Sequence, residues 1–374
     1  MVSLSSVKNR QISSYVTIIW VILFLITYLF IVDLSALHQS VQTPSHSPDL
    51  VHAVVMIAGG YMATNPLVDL SIQSLRRVGA WEGRIYVLTD KVDCFNKPIT
   101  KIVDTTTSSS SSSSTTDNTN KDTISLPSTA SKYDVQVIHV PPDRMNTVMK
   151  IKTLKTQLFE FLPDDVSNVL YMDVDIVVSR KLTGFLNDLN EQLARHAADR
   201  KHSSSSSGGN DKDPHDSLDI RNTVSKRITI TSDNAPDYAM FLDAGGHFAG
   251  SWVSGVEKWH TGVIWYRRGA GVACMNAWKN EIESGNHSSD QESLDAAEIK
   301  GECKYPMTLS FRHLLFAKDY LMMLFRGGQT FTHFTAAGRG DELDPFYKNI
   351  VIPQLRKSIR PRLKLDGLEG NKQC

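Results

Sequence analysis

Asp173 and Asp175 stand one residue apart behind an apolar run, Val169-Leu170-Tyr171-Met172. Two carboxylates that close repel each other when both are ionised, so a cation beside them is the natural partner. Mg2+ and Mn2+ take carboxylate and phosphate oxygens together, which makes the pair a candidate holder of a metal bridging a diphosphate. Ile176-Val177-Val178 follow, so an exposed acidic loop is a poor reading of the segment. If residues 169–178 form one strand, its period-two alternation puts both acids on the same side.

The elements that deliver this pair alternate strand and helix. Residues 51–57, apolar but for His52, read as a buried strand ending at Ala58-Gly59-Gly60-Tyr61. Gly59 lets the backbone approach a ligand, and Tyr61 offers a ring for a base to stack on. Residues 66–78 carry apolar side chains at helical spacing, 84–88 and 135–140 read as strands, and Ile151, Leu154, Leu158 and Leu162 stripe a helix that stops at Pro163. That helix also carries Lys152 and Lys155, placed to neutralise diphosphate charge. The order predicts an α/β domain with a mostly parallel sheet, whose ligands sit at the carboxyl ends of the strands. Asp233, in Ile228-Thr229-Ile230-Thr231-Ser232-Asp233, is expected at a strand end facing the same cleft.

Composition narrows the function classes. Lys and Arg total 40, as do Asp and Glu, and this balance argues against a nucleic-acid binder. Four cysteines are too few for a disulfide scaffold, although Cys274 and Cys303 are a possible pair; Cys94 and Cys374 have no evident mates. Residues 15–32 are uncharged and apolar, and as a helix they span roughly 27 Å, enough for a thinner bilayer. Lys8 and Arg10 precede them and Asp33 follows, so the positive-inside rule gives a cytosolic tail (1–14), a signal anchor (15–32), a stem (33–50) and a luminal remainder. Asn286-His287-Ser288 is a glycosylation sequon usable only in a lumen. Residues 104–131 and 198–219 are Ser-rich and nearly devoid of apolar side chains, so both read as disordered insertions in one catalytic domain, 51–352, followed by a tail, 353–374.

The run from Lys152 through Val178 resembles the helix and D-x-D strand of nucleotide-sugar glycosyltransferases with the GT-A (Rossmann-like) fold. It is most similar to glycosyltransferase family 8, the glycogenin-like retaining enzymes. Other pieces recur in the family's order: Met56 to Leu75 as first strand, nucleotide loop and helix; Asp290-Gln291 with Leu294 as the acceptor-side helix; and His333-Phe334 as the late pair whose histidine completes the metal site. The resemblance implies a metal centre of Asp173, Asp175 and His333 holding Mn2+ or Mg2+. It also implies a UDP-linked donor bound by Ala58, Gly59, Tyr61, Lys152, Lys155 and Asp173, and a glycan, protein or lipid acceptor. Asp290, Gln291 and Asp233 are the candidate groups near the reacting sugar. Two departures stand out: His260-Thr261-Gly262 replaces the family's Asn-Ser-Gly, and Ala336 to Gly340 replaces its Lys-Pro-Trp, leaving Arg339 as the candidate cation there.

Two other readings use the same residues. Asp173 to Val177 also satisfies the D-x-D-x-V motif of haloacid-dehalogenase-type phosphatases, in which the first Asp is the nucleophile. That fold puts the motif on its first strand and needs a later Gly-Asp-x-x-x-Asp; here the motif comes fourth, and Gly340-Asp341-Glu342-Leu343-Asp344 has the wrong spacing. A non-catalytic luminal binding protein is the other, against which stand the intact acids and histidine. The topology is directly testable: a tag after Cys374 is expected to be protease-protected in intact microsomes. Digestion of the tag there contradicts a luminal catalytic domain.

Overall fold

The computed structural model describes residues 50–96, 99–104, 121–126, 128–205, 230–231, 233–243, 258–316 and 329–334. The expected anchor, stem and C-terminal tail lie outside them. Among the described residues no helix is long and apolar enough to cross a membrane.

The chain runs β1 (Ala53–Ile57), α1 (Pro66–Arg77), β2 (Arg84–Thr89), β3 (Ile99–Asp104), β4 (Lys121–Leu126), α2 (Thr129–Tyr133), β5 (Gln136–His139), α3 (Val148–Thr153), β6 (Asn168–Met172), β7 (Ile176–Val178) and α4 (Thr183–Ser205). It continues through β8 (Tyr238–Asp243), β9 (Lys258–Arg267), α5 (Val272–Glu283), α6 (Asp290–Ile299), β10 (Pro306–Leu309), β11 (Leu314–Phe316) and β12 (Phe331–His333). The main sheet has the order β10-β8-β9-β6-β1-β2-β5. All its pairings are parallel except those of β9, which runs antiparallel to both neighbours. The mixed α/β, mostly parallel expectation holds.

Central strands of such a sheet are buried on both faces, and β1 shows why it needs an unbroken apolar sequence. Val54 and Met56 enter one cluster with Val68, Ile72 and Leu75 of α1 and Phe185, Leu189 and Leu193 of α4. Ala53, Val55 and Ile57 enter the other with Leu154, Leu158, Trp278, Ile282, Leu294 and Ala297. Helix α1 starts where Asn65 Oδ1 accepts a hydrogen bond from Leu67 N, with Pro66 at its first position. A disulfide joins Cys274 in α5 to Cys303 beyond α6. Cys94, which had no evident mate, is also disulfide-bonded.

The structure corrects four expectations. Residues 169–178 are not one strand: β6 ends at Met172, the acids form a turn in which Ile176 N donates to Asp173 O at 3.1 Å, and β7 joins a second, three-stranded sheet, β11-β12-β7. The stripe from Ile151 to Leu162 is not one helix, because α3 passes into a 3-10 stretch (Leu154–Glu160) with non-helical angles at Gln157. The first Ser-rich insertion is partly ordered: β4 pairs antiparallel with β3, and Thr129 of α2 donates to Asp69 Oδ1 at 2.9 Å. Helix α4 continues to Ser205, so residues 198–205 are helical too.

His313 links the small sheet to α4. Its Nε2 lies 2.6 Å from Asp188 Oδ2 and its Nδ1 2.8 Å from Thr330 Oγ1, one residue before β12.

The β3–β4 pairing and the Thr129–Asp69 contact set the limit of a safe deletion. Replacing residues 105–120 with a short Gly-Ser turn is expected to leave stability unchanged, since long loops add little closure entropy. Extending the deletion through Ala130 removes β4 and the Thr129–Asp69 contact, and is expected to cost at least about 1 kcal/mol in urea unfolding. Equal stability of the two deletions contradicts the packing of this segment.

Candidate active site

The acids lie where the sheet stops. Val55 pairs with Tyr171, so Ile57 is level with Asp173, and the Gly59-Gly60 loop leaves β1 beside the acidic turn. Gly60 has φ +58° and donates its N–H to Asp90 Oδ1 at 2.9 Å. A Cβ on Gly59 would lie 2.9 Å from Ile151 Cδ1, so α3 packs closely against the strand end at this glycine. Ala58 is fully buried, and Tyr61 is 41% exposed.

Strand β9 contributes through an irregularity. Its pairing with β8 jumps from Met240↔Ile264 to Phe241↔His260, leaving Thr261, Gly262 and Val263 without partners on that side. Bulges of this kind re-aim side chains beside active sites. Gly262 O still accepts from Asp173 N at 2.8 Å, tying the bulge to the acidic turn. A Cβ on Gly262 would lie 2.7 Å from His260 Cε1 and 3.1 Å from Asp173 Oδ2.

Lys155 is the electrostatic centre. It is 6% exposed, and its ammonium lies 3.1 Å from Asp173 Oδ1, 3.1 Å from Thr261 O and 2.9 Å from Asp290 Oδ2. A lysine has three donors, and these three acceptors match them. Burial opposes its charge, but Asp173 and Asp290 outweigh burial and raise its pKa. Asp290 is the first residue of α6, behind the cap Ser289, where the helix N-terminus favours an anion. Its Oδ1 takes Lys152 Nζ at 2.9 Å, and its Oδ2 also accepts Thr261 Oγ1 at 2.8 Å. Burial opposes ionisation of Asp290, yet Lys155 and Lys152 prevail and hold its pKa below the usual carboxylate range.

Asp173 goes the other way. Burial raises its pKa, Lys155 pulls it back, and repulsion from Asp175 adds to the rise. The Tyr171 hydroxyl donates to the same carboxylate. His333 Nε2 lies 3.4 Å from Asp175 Oδ1, while Phe334 N donates to Asp175 O at 2.9 Å. Burial disfavours a charged His333, but Asp175 outweighs it and raises the histidine pKa. His260 Nε2 lies 2.8 Å from His333 Nδ1; burial first, then His333 and Lys155, keep His260 neutral. One ligand atom from each of Asp173, Asp175 and His333 falls within 4.8 Å of the others. Two carboxylate oxygens and an imidazole nitrogen suit Mn2+ better than Ca2+.

The structure thus brings together Lys152, Lys155, Asp173, Asp175, Asp290 and His333, with the Ala58–Tyr61 loop alongside. Gln291 is half-buried at the second position of α6. Asp233 is not brought there: it is exposed on the turn before β8, at the edge where β8 begins, whereas the acids lie where β6 ends. Strands β8 and β6 run parallel, so those edges are opposite. Arg339 lies outside the described residues. The sequence reading missed His260, Thr261 and Tyr171 as parts of the site.

No family model matches the sequence, and no curated protein matches it. Solved structures are similar at low identity. The galactosyltransferase LgtC, in complex with donor and acceptor sugar analogs, aligns with a TM-score of 0.43 at 12% identity over 82% of this chain and 96% of its own. The glycosyltransferase GlyE of Streptococcus pneumoniae TIGR4 aligns with a TM-score of 0.42 at 11% identity over 85% of this chain and 62% of its own.

Lys155→Met is expected to destabilise the protein by about 3–5 kcal/mol at neutral pH, because it leaves two carboxylates without their buried cation. The sign with pH follows from Asp290. Its lowered pKa contributes stability above the usual carboxylate range, and that stability is lost as the pH falls through its folded pKa. The gap between wild type and variant is therefore expected to shrink in acid. Urea titrations at neutral and acid pH check this, and a gap independent of pH contradicts it.

Proposed function

We propose that the chain is a metal-dependent glycosyltransferase that moves a sugar from a UDP-linked donor to a hydroxyl of a glycan, protein or lipid acceptor. The observation that carries the reading is the Asp173, Asp175 and His333 cluster at the carboxyl edge of a mostly parallel sheet, backed by buried lysines. Asp173 and Asp175 would hold the cation through oxygen and His333 through nitrogen; the cation supplies charge stabilisation of the leaving diphosphate.

The protein's own groups have separate tasks. The backbone at Gly60, where an added Cβ would meet nothing within 4 Å, leaves room for the nucleotide beside the acids, and Tyr61 offers its exposed ring to the base. Lys152, 24% exposed, faces solvent more than Lys155 and is the better cation for the donor. Lys155 is saturated by protein acceptors, so its task is to hold Asp173 and Asp290 in place. Both Asp290 oxygens are occupied by Lys152, Lys155 and Thr261, which makes Asp290 a poor covalent nucleophile. Gln291 is the neighbouring polar group for the sugar or acceptor. Retention of anomeric configuration follows from the family resemblance, and the occupied Asp290 favours front-face transfer over a covalent sugar intermediate. We assign the domain to the lumen of the Golgi or endoplasmic reticulum, as a single-pass type II protein. The charge pattern around residues 15–32 supports this, and the Cys274–Cys303 disulfide agrees with an oxidising compartment.

Calorimetric titration of UDP with and without Mn2+ tests the metal. Wild type is expected to bind UDP more tightly with Mn2+, Asp175→Ala to lose that dependence together with transfer, and His333→Ala to weaken metal binding by at least the roughly 10- to 100-fold typical of a lost supporting contact. Equal UDP binding by wild type in chelator, or full activity of Asp175→Ala, contradicts the reading.

A further inference from the structure

The orientation of His333 has a structural cause in a residue that is not itself a candidate ligand. His260 is 1% exposed and packs edge-on against His333, with ring centroids 4.7 Å apart and an interplanar angle of 76°. Its Nε2 and His333 Nδ1 are 2.8 Å apart, so one nitrogen carries the proton and the other accepts it. The far nitrogen of His333, Nε2, faces Asp175. An imidazole that offers Nε2 to a cation keeps its proton on Nδ1, and here that proton points at His260. The space for the His260 ring is reserved by Gly262, where a Cβ would lie 2.7 Å from His260 Cε1. The bulge in β9 places both residues.

We infer that His260 is a positioning residue for the metal site: its Nε2 accepts the hydrogen bond from His333 Nδ1–H and fixes the ring with Nε2 directed at the cation shared with Asp173 and Asp175. The inference rests on the metal-dependent reading above. It assigns a task to a histidine at a position where the sequence departs from the family's asparagine. Outer partners that orient a ligating histidine typically contribute 10- to 100-fold to metal affinity.

The test is calorimetric titration of Mn2+ into the full-length protein, wild type and two variants, without nucleotide. His260→Leu keeps bulk and removes the acceptor; it is expected to weaken Mn2+ binding about 10- to 100-fold. His260→Gln puts an amide oxygen near the place of Nε2 and is expected to restore most of the affinity. A role in packing alone predicts that leucine, the better core residue, binds Mn2+ as tightly as wild type, and that result overturns the assignment while leaving the metal site standing. Absence of Mn2+ binding in wild type removes the metal reading and this inference with it. Should the leucine variant not fold, ring 15N spectra of histidine-labelled wild type with Mg2+ decide. A proton on His333 Nδ1 is expected, and a proton on Nε2 overturns the proposal.

Discussion

A single buried ammonium organises this site. Asp173, Asp175 and Asp290 bring three negative charges to the end of β6 and the start of α6, and Lys155 touches two of them. Taking such groups out of water costs several kcal/mol per ion, so the arrangement stands only if each is paired and hydrogen-bonded. Lys155 meets that condition with its three acceptors, and Lys152 adds a second positive charge on Asp290. Three acids against two lysines leave one negative charge, located on the Asp173–Asp175 side. His333, with its raised pKa, supplies the remaining positive charge when protonated. A divalent ion there would replace that proton, which couples metal binding to pH.

Holding these charges in register requires the backbone to depart from regular structure. β6 must stop at Met172 so that Asp173 and Asp175 leave the sheet in a turn, and β7 then pairs with β12, whose last residue is His333. The same turn fastens to the β9 bulge through Asp173 N and Gly262 O. The proposed ligands therefore come from two sheets that meet at one break in the chain. The Asp188–His313–Thr330 contacts bind the small sheet to α4 and keep β12 in place behind that break.

Much of this was legible in the sequence, for identifiable reasons. Continuous apolar runs at β1, β2 and β6 announced strands buried on both faces, and the spacing in α1 announced its helix. The acids were found because carboxylates behind an apolar strand are conspicuous, although the reason given for their proximity was wrong: a turn joins them, not strand alternation. The bulge had no signal, because Thr261 and Val263 fit a regular strand as well as an irregular one, and only Gly262 hinted at close approach. His260 was visible as a departure from the family pattern, but its hydrogen bond to His333 spans 73 residues and leaves no periodic trace. Asp233 was misplaced because a strand end looks the same from sequence whichever edge of the sheet it occupies. The Ser-rich insertions were read by composition, which cannot detect that β4 pairs with β3.

The central claim is that these acids hold a cation for departure of a nucleoside diphosphate, and product analysis tests it most directly. The full-length protein, stripped with chelator, is incubated with a panel of nucleotide sugars before and after Mn2+ is restored, and the released species are identified. The account predicts that restoring Mn2+ releases intact UDP, together with free or transferred sugar, from at least one UDP-linked donor. Inorganic phosphate as the product, or donor consumption unaffected by chelator, would contradict it.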